Sequence, residues 1–102
     1  MDKLKVIYRK FPEGDVIALF PELPEDMYGY SFRSYQHIGQ HGIADDGIIQ
    51  NTYPANPSEY ADLHKELQSI YDDCELVICK RISSKMWANR RKAVNDYYNY
   101  WS

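Results

Sequence analysis

The chain has 102 residues, a length that fits one domain with a single hydrophobic core. Hydrophobic residues make up 44% and charged residues 26% of it, which excludes a wholly disordered chain. The net charge of −3 conceals an asymmetry, since residues 1–79 carry six Lys/Arg and fourteen Asp/Glu whereas residues 80–102 carry six Lys/Arg and one Asp.

The first half of the chain predicts four strands joined by turns. They are expected at residues 4–11, 16–20, 31–38 and 48–53. The first two form a hairpin, in which Pro12 presets φ and Gly14 takes a left-handed conformation. The continuous apolar run VIALF predicts a central strand covered on both faces. The segment GQHGIADDG, with three glycines and an Asp pair, predicts a turn before the fourth strand.

The second half predicts two helices separated by a fifth strand. Asn56 at the N-cap, Pro57 at the first position and Glu59 at the third predict the start of the first helix. Its buried stripe at helical spacing is Tyr60, Leu63, Leu67, Ile70 and Tyr71. The segment DDCELVICKRI contains the fifth strand. Residues 84–101 lack Gly and Pro and predict the second helix.

The order β-β-β-β-α-β-α predicts an α+β fold with a mainly antiparallel five-stranded sheet. Because the first helix has a stripe to bury, it must cover a face of that sheet, and we expect both helices on one face. Residues 1–82 form the predicted core domain. Residues 83–102 form an amphipathic aromatic and basic helix, either in the same domain or as an appendage.

Three segments of the chain carry a resemblance to known proteins. YRKFPEGDVIALFPEL, SYQHIGQHG and ANPSEYADLHKEL together resemble a family of small bacterial proteins of unassigned function, some carried on mobile elements. The resemblance covers roughly residues 5–82 and implies one compact domain in the bacterial cytoplasm. It implies no activity, cofactor or site residue.

The cysteines and the N-terminus predict a soluble cytoplasmic protein. On one strand, Cys74 and Cys79 would lie roughly 16 Å apart on opposite faces, whereas a disulfide needs Cα atoms within about 7 Å. Free thiols are typical of a reducing compartment. The stretch MDKLKVIYRKF has no apolar run of signal-peptide length, and no segment reaches the length of a membrane span.

Two of the three histidines, His37 and His41, are the first candidates for chemistry. On a strand they would lie roughly 13 Å apart, too far to share a metal. A bend at Gly39 would bring them together, with Asp45 or Asp46 as a further ligand. The spacings of known zinc sites are absent, and so is a nucleophile motif. We therefore predict a polar strand and turn, with no catalytic residue, metal or cofactor; the alternative is a metal-dependent enzyme that uses His37 and His41.

The segment KRISSKMWANRRK is the second candidate, because its six cations are accompanied by no acid. Cations that follow a phosphate backbone give sequence-independent affinity for nucleic acid. The candidate residues are Lys80, Arg81, Lys85, Arg91 and Lys92, with Arg90 beside them. The alternative is a solvated basic helix face that pairs with the acidic body of its own domain.

The last helix also has an aromatic face of about 160°, wider than the roughly 100° of a typical surface helix. Either this helix lies beside the first one, or part of its face is left for another chain. Tyr, Trp and Arg are enriched where interfaces bind most strongly. The predicted contact residues are Trp87, Arg90, Tyr97, Tyr98 and Trp101. The leading prediction is therefore a non-enzymatic accessory protein acting through protein contacts, with a homodimer as one form of that contact.

Overall fold

The computed structural model of the chain describes residues 2–37 and 39–101, and for Trp101 the backbone alone. Within these residues the chain forms six strands, two α-helices and one 3-10 helix. The strands are β1 (Asp2–Lys10), β2 (Val16–Pro24), β3 (Ser31–Gln36), β4 (Gln40–Asp45), β5 (Tyr53–Pro54) and β6 (Cys74–Cys79). The helices are the 3-10 helix Asp46–Asn51, α1 (Pro57–Ile70) and α2 (Ser84–Trp101).

All six strands belong to one sheet. Its order is β4-β3-β2-β1, and the outer edge of β1 is shared by β5 and β6. Every pairing is antiparallel except that of β6, which runs parallel to residues 2–7 of β1. The predicted class, α+β with a mainly antiparallel sheet, is confirmed, and the sheet has six strands instead of five.

The two faces of the sheet carry separate cores because neighbouring strand residues point to opposite sides. On one face, Val6 of β1 packs in a cluster with Leu63 and Leu67 of α1. On the other face, Ile7 packs in a cluster with Met86 of α2. The sheet therefore lies between α1 and α2.

The prediction that both helices pack on one face is wrong. The run VIALF in β2 divides its core residues between the two clusters, with Ile17 and Leu19 on one side and Ala18 and Phe20 on the other. All four are less than one-tenth exposed. A strand that is apolar on both sides needs cover on both sides, and one helix supplies it on each.

The predicted hairpin and the start of α1 are confirmed. Gly14 in the turn between β1 and β2 has φ +106°, in the left-handed region. Pro57 is the first residue of α1, and the Glu59 carboxylate accepts a hydrogen bond from the Asn56 backbone N–H at 2.8 Å. This bond satisfies a backbone donor just before the helix.

The fourth strand lies eight residues earlier than predicted. Residues 40–45, expected as a turn, form the edge strand β4, where Ala44 alone is buried. Residues 46–51 form the 3-10 helix, which begins where the Asp45 carboxylate accepts from the Gly47 N–H at 2.9 Å. The Arg9 guanidinium fixes its end by donating to the carbonyl oxygens of Ile49 and Thr52 at 3.0 and 2.7 Å.

Candidate functional site

The helix α2 packs against the sheet along one narrow stripe. Its first turn is capped by Ser83, whose Oγ accepts from the Met86 N–H at 3.2 Å. Met86, Arg90 and Val94 follow at intervals of four, which places them on one helix face, and each is less than one-tenth exposed. Residues 95–100 are all exposed, so the sheet does not cover the last turns of α2.

Arg90 is fully buried at the centre of this stripe. Its Nε donates to the carbonyl oxygen of Gly29 at 2.9 Å and its Nη1 donates to that of Pro21 at 3.1 Å. The guanidinium carbon lies 4.9 Å from the centre of the Phe32 ring, and Nη2 lies 3.5 Å from the Asp46 carboxylate. Arg90 is therefore unavailable to a partner chain, and its predicted place among the contact residues is wrong.

Trp87 lies three positions from the buried Arg90 but far from the predicted contact residues at the end of α2. It is 44% exposed, and the Arg91 guanidinium carbon lies 5.3 Å from the centre of its ring. Ten residues separate it from Tyr97, or about 15 Å along the helix axis. The Trp101 side chain lies outside the described part of the chain. Of the five predicted contact residues, the structure therefore brings together Tyr97 and Tyr98, whose ring centres are 6.1 Å apart.

The exposed end of α2 lies beside the loop between β2 and β3. Pro24, Met27, Val94 and Tyr97 help to line a groove of about 430 Å³ between loop and helix. We call the exposed large side chains of this loop and of the last turns of α2 the tyrosine surface, and three of them, Met27, Tyr97 and Tyr98, line the groove. It consists of Met27, Tyr28 and Tyr30 from the loop and of Tyr97, Tyr98 and Tyr100 from α2.

The loop is held in place by Asp26 and Gly29. The Asp26 carboxylate accepts from the Ser31 N–H at 2.7 Å, from the Ser31 hydroxyl at 2.8 Å and from the Tyr28 N–H at 3.1 Å. These bonds, the Ser31 backbone bond first among them, hold the pKa of Asp26 below its usual value. Gly29 has φ +74° and lies against α2, where a Cβ would stand 3.1 Å from Arg91 Cδ.

The tyrosine surface is large for a chain of this size. Its six residues are between 43% and 81% exposed. At about 200 Å² for each side chain, these fractions amount to roughly 700 Å². Contiguous apolar patches on monomeric proteins rarely exceed about 300–600 Å², and larger ones mark contact sites.

The sequence-based prediction of contact residues names only residues of α2 and misses those of the loop. Met27, Tyr28 and Tyr30 belong to PELPEDMYGY, which prolines and acids identify as a loop. Three large apolar or aromatic residues in such a loop are the available signal, because loops lie on the surface and often carry function. Their proximity to α2 depends on tertiary packing through Gly29.

The cations proposed for nucleic-acid binding occupy the β6–α2 connection and α2. They are Lys80, Arg81, Lys85, Arg91 and Lys92. Lys92 is paired with Asp96 at 2.8 Å, and Arg91 lies over a tryptophan ring. Asn89, on the helix face of Lys92, donates to the Glu22 carboxylate at 2.5 Å. Carboxylates thus interrupt the basic strip at two points, and nucleic-acid binding stays a prediction.

The histidines tie the β3–β4 hairpin to α1 and its C-cap. His37 Nδ1 lies 2.7 Å from one Glu66 oxygen, and the Tyr35 hydroxyl donates to the other. His41 Nε2 lies 3.1 Å from the hydroxyl of Tyr71. Burial raises the pKa of Tyr35, and the bond to Glu66 raises it further. The two histidines thus contact different residues of the neighbouring element.

Among residues 2–37 and 39–101, no three His, Cys, Asp or Glu side chains are grouped as metal ligands would be. No helix in the described part of the chain combines the length and apolar composition needed to span a bilayer. Comparison with family models, with curated proteins and with solved structures gives no match.

Proposed function

We propose that this chain acts through protein–protein contacts rather than catalysis, and that the tyrosine surface joins it to a second copy in a two-fold dimer. The area and composition of that surface carry the proposal. Its roughly 700 Å² approaches the 800 Å² or so that each partner buries in a standard interface. Tyrosine and methionine are enriched at interfaces, since both give large apolar contact areas.

A second copy suits this surface because a two-fold interface must be complementary to itself. The tyrosine surface contains both exposed rings outside the groove lining, such as Tyr28 and Tyr100, and the groove of about 430 Å³ itself. Rings from each chain can enter the groove of the other, between Met27 and Val94. One symmetric contact would then cover both halves of the surface.

Sedimentation equilibrium from micromolar to millimolar concentration tests the proposal. We expect a mass that rises to twice that of one chain. The double variant Tyr28→Ala, Tyr97→Ala removes one ring from each half of the surface. Because both chains carry the variant, the dimer loses four rings, and at about 1–2 kcal/mol for each ring it should weaken at least about 1,000-fold.

The matched control is Tyr53→Ala. Tyr53 is 59% exposed in β5, outside the tyrosine surface, so its removal should leave the dimer unchanged. Circular dichroism should show the same fold for all three proteins. A parent chain that stays monomeric at millimolar concentration, or a double variant that dimerises as tightly as the parent, contradicts the proposal.

The cysteines support a cytoplasmic location for this dimer. Cys74 and Cys79 are free thiols, as their spacing predicts, and free thiols are maintained in reducing compartments. Alkylation in freshly lysed cells should modify both, whereas a mixed disulfide on either would count against this location.

A further inference from the structure

The outer edge of β1 has an opening between its two neighbouring strands. β6 pairs with residues 2–7 and β5 pairs with Arg9 and Lys10, so Tyr8 lies between the two strands, where its carbonyl oxygen accepts from the Ala55 N–H at 3.2 Å. A cavity of about 460 Å³ lies at this point, bounded by β6 and the start of α1. Small-molecule sites typically measure about 300–1,000 Å³, so the cavity has the size of a ligand site.

The inner wall of the cavity is aromatic and rigid. The rings of Tyr8 and Tyr60 are stacked, with centres 4.4 Å apart and planes at 12°. The Tyr8 hydroxyl lies 2.7 Å from His64 Nδ1, which fixes the orientation of its ring. Burial raises the pKa of Tyr8, and Tyr60 raises it further, so the Tyr8 hydroxyl stays uncharged at physiological pH. Pro54 and Ile78 extend the apolar lining.

The rim of the cavity carries a cation. Lys80 is exposed at the end of β6, and among the described residues it has no ion-pair partner. The lining that the structure describes contains no carboxylate. An anionic group at this rim would therefore be attracted by Lys80, and no carboxylate in the described lining would repel it.

From the aromatic wall and the lysine at the rim, we propose that this cavity binds a small planar aromatic acid. Because Tyr8 is buried, the ring of the ligand packs against the Tyr60 side of the stacked pair, since offset-stacked aromatic groups attract one another. Its carboxylate lies at Lys80. The site is separate from the tyrosine surface, because the cavity and that surface share no residue.

Two-dimensional NMR titration of the full chain with indole-3-carboxylate tests the proposal, with neutral indole as the matched probe. We expect saturable shifts of the amide signals of Tyr60, Ile78 and Lys80. Indole should shift the same amides but bind less tightly. Shifts confined to other parts of the chain, or no shifts at millimolar probe, would overturn the proposal.

Three variants separate the contribution of the carboxylate contact at Lys80 from that of the ring contact at Tyr60. Lys80→Gln should weaken carboxylate binding about three- to fivefold and leave indole unchanged, as expected for an exposed ion pair. Lys85→Gln, which removes an exposed lysine outside the cavity, should change neither. Tyr60→Leu keeps the wall apolar but removes a ring, and should weaken both probes about tenfold. Equal binding of carboxylate by all four proteins would overturn the site.

Discussion

Replacing Arg90 by methionine is expected to lower the free energy of unfolding by about 3 kcal/mol. The variant leaves the carbonyl oxygens of Gly29 and Pro21 without their donor, at about 1–1.5 kcal/mol each. It also removes the guanidinium from the face of Phe32, at about 1 kcal/mol. Methionine keeps much of the apolar packing, and the loss of a buried charge offsets part of the cost.

Thermal and urea denaturation followed by circular dichroism measure this change. A loss of about 3 kcal/mol should lower the melting temperature by roughly 10–20 °C in a chain of this length. The matched control is Asp46→Asn. The Asp46 side chain is 56% exposed and its carboxylate lies 3.5 Å from Arg90, so its removal should cost less than about 1 kcal/mol.

The opposite result would refute this account of Arg90. If the Arg90→Met variant were as stable as the parent, the free-energy cost of desolvating the guanidinium would equal the stabilisation from its hydrogen bonds. If Asp46→Asn were as damaging as Arg90→Met, the ion pair and not the two carbonyl bonds would hold the residue.

Three further predictions concern the core and the loop. Leu67→Ala, at a fully buried position of α1, should cost about 3 kcal/mol in urea denaturation. Ile70 is 44% exposed in the same helix, so Ile70→Ala should change the free energy of unfolding by no more than about 0.5 kcal/mol. Equal losses for Leu67→Ala and Ile70→Ala would refute the core assignment. Gly29→Ala should lower the melting temperature more than Gly39→Ala. Both glycines have φ +74°, but of the two only Gly29 has a close neighbour, Arg91. Equal losses in melting temperature would contradict the close contact between Gly29 and Arg91. Because the pKa of Asp26 is lowered by folding, its stabilisation is present above about pH 4 and is lost as the pH falls further. Asp26→Asn should therefore flatten the acid limb of the melting temperature, and an unchanged limb would contradict that role.

The sequence predicts the elements that have strong local signals. The β1–β2 hairpin follows from Pro12 and Gly14, and α1 follows from its cap and its apolar spacing. β4 has no such signal because an edge strand with one buried residue shows no apolar alternation. Ile48 and Ile49 resemble a strand by composition, yet they pack against the second core from a 3-10 helix.

The candidate site depends more heavily on tertiary structure. A helical wheel places Arg90 on the aromatic face of α2. It cannot show that this face packs against the sheet at Arg90 and is exposed to solvent after Val94. The loop residues Met27 and Tyr28 join that face through Gly29, 61 positions from Arg90 in the chain. Contacts of that sequence separation leave no local pattern.

The most direct test of the tyrosine surface is isotope-filtered NMR on an equal mixture of ¹³C-labelled and unlabelled chains at dimer-forming concentration. The proposed dimer predicts nuclear Overhauser effects between the Met27 methyl group of labelled chains and tyrosine ring protons of unlabelled chains. Effects of this kind at the loop and the end of α2 would place both halves of the surface in the contact. A dimeric mass without them would contradict the account.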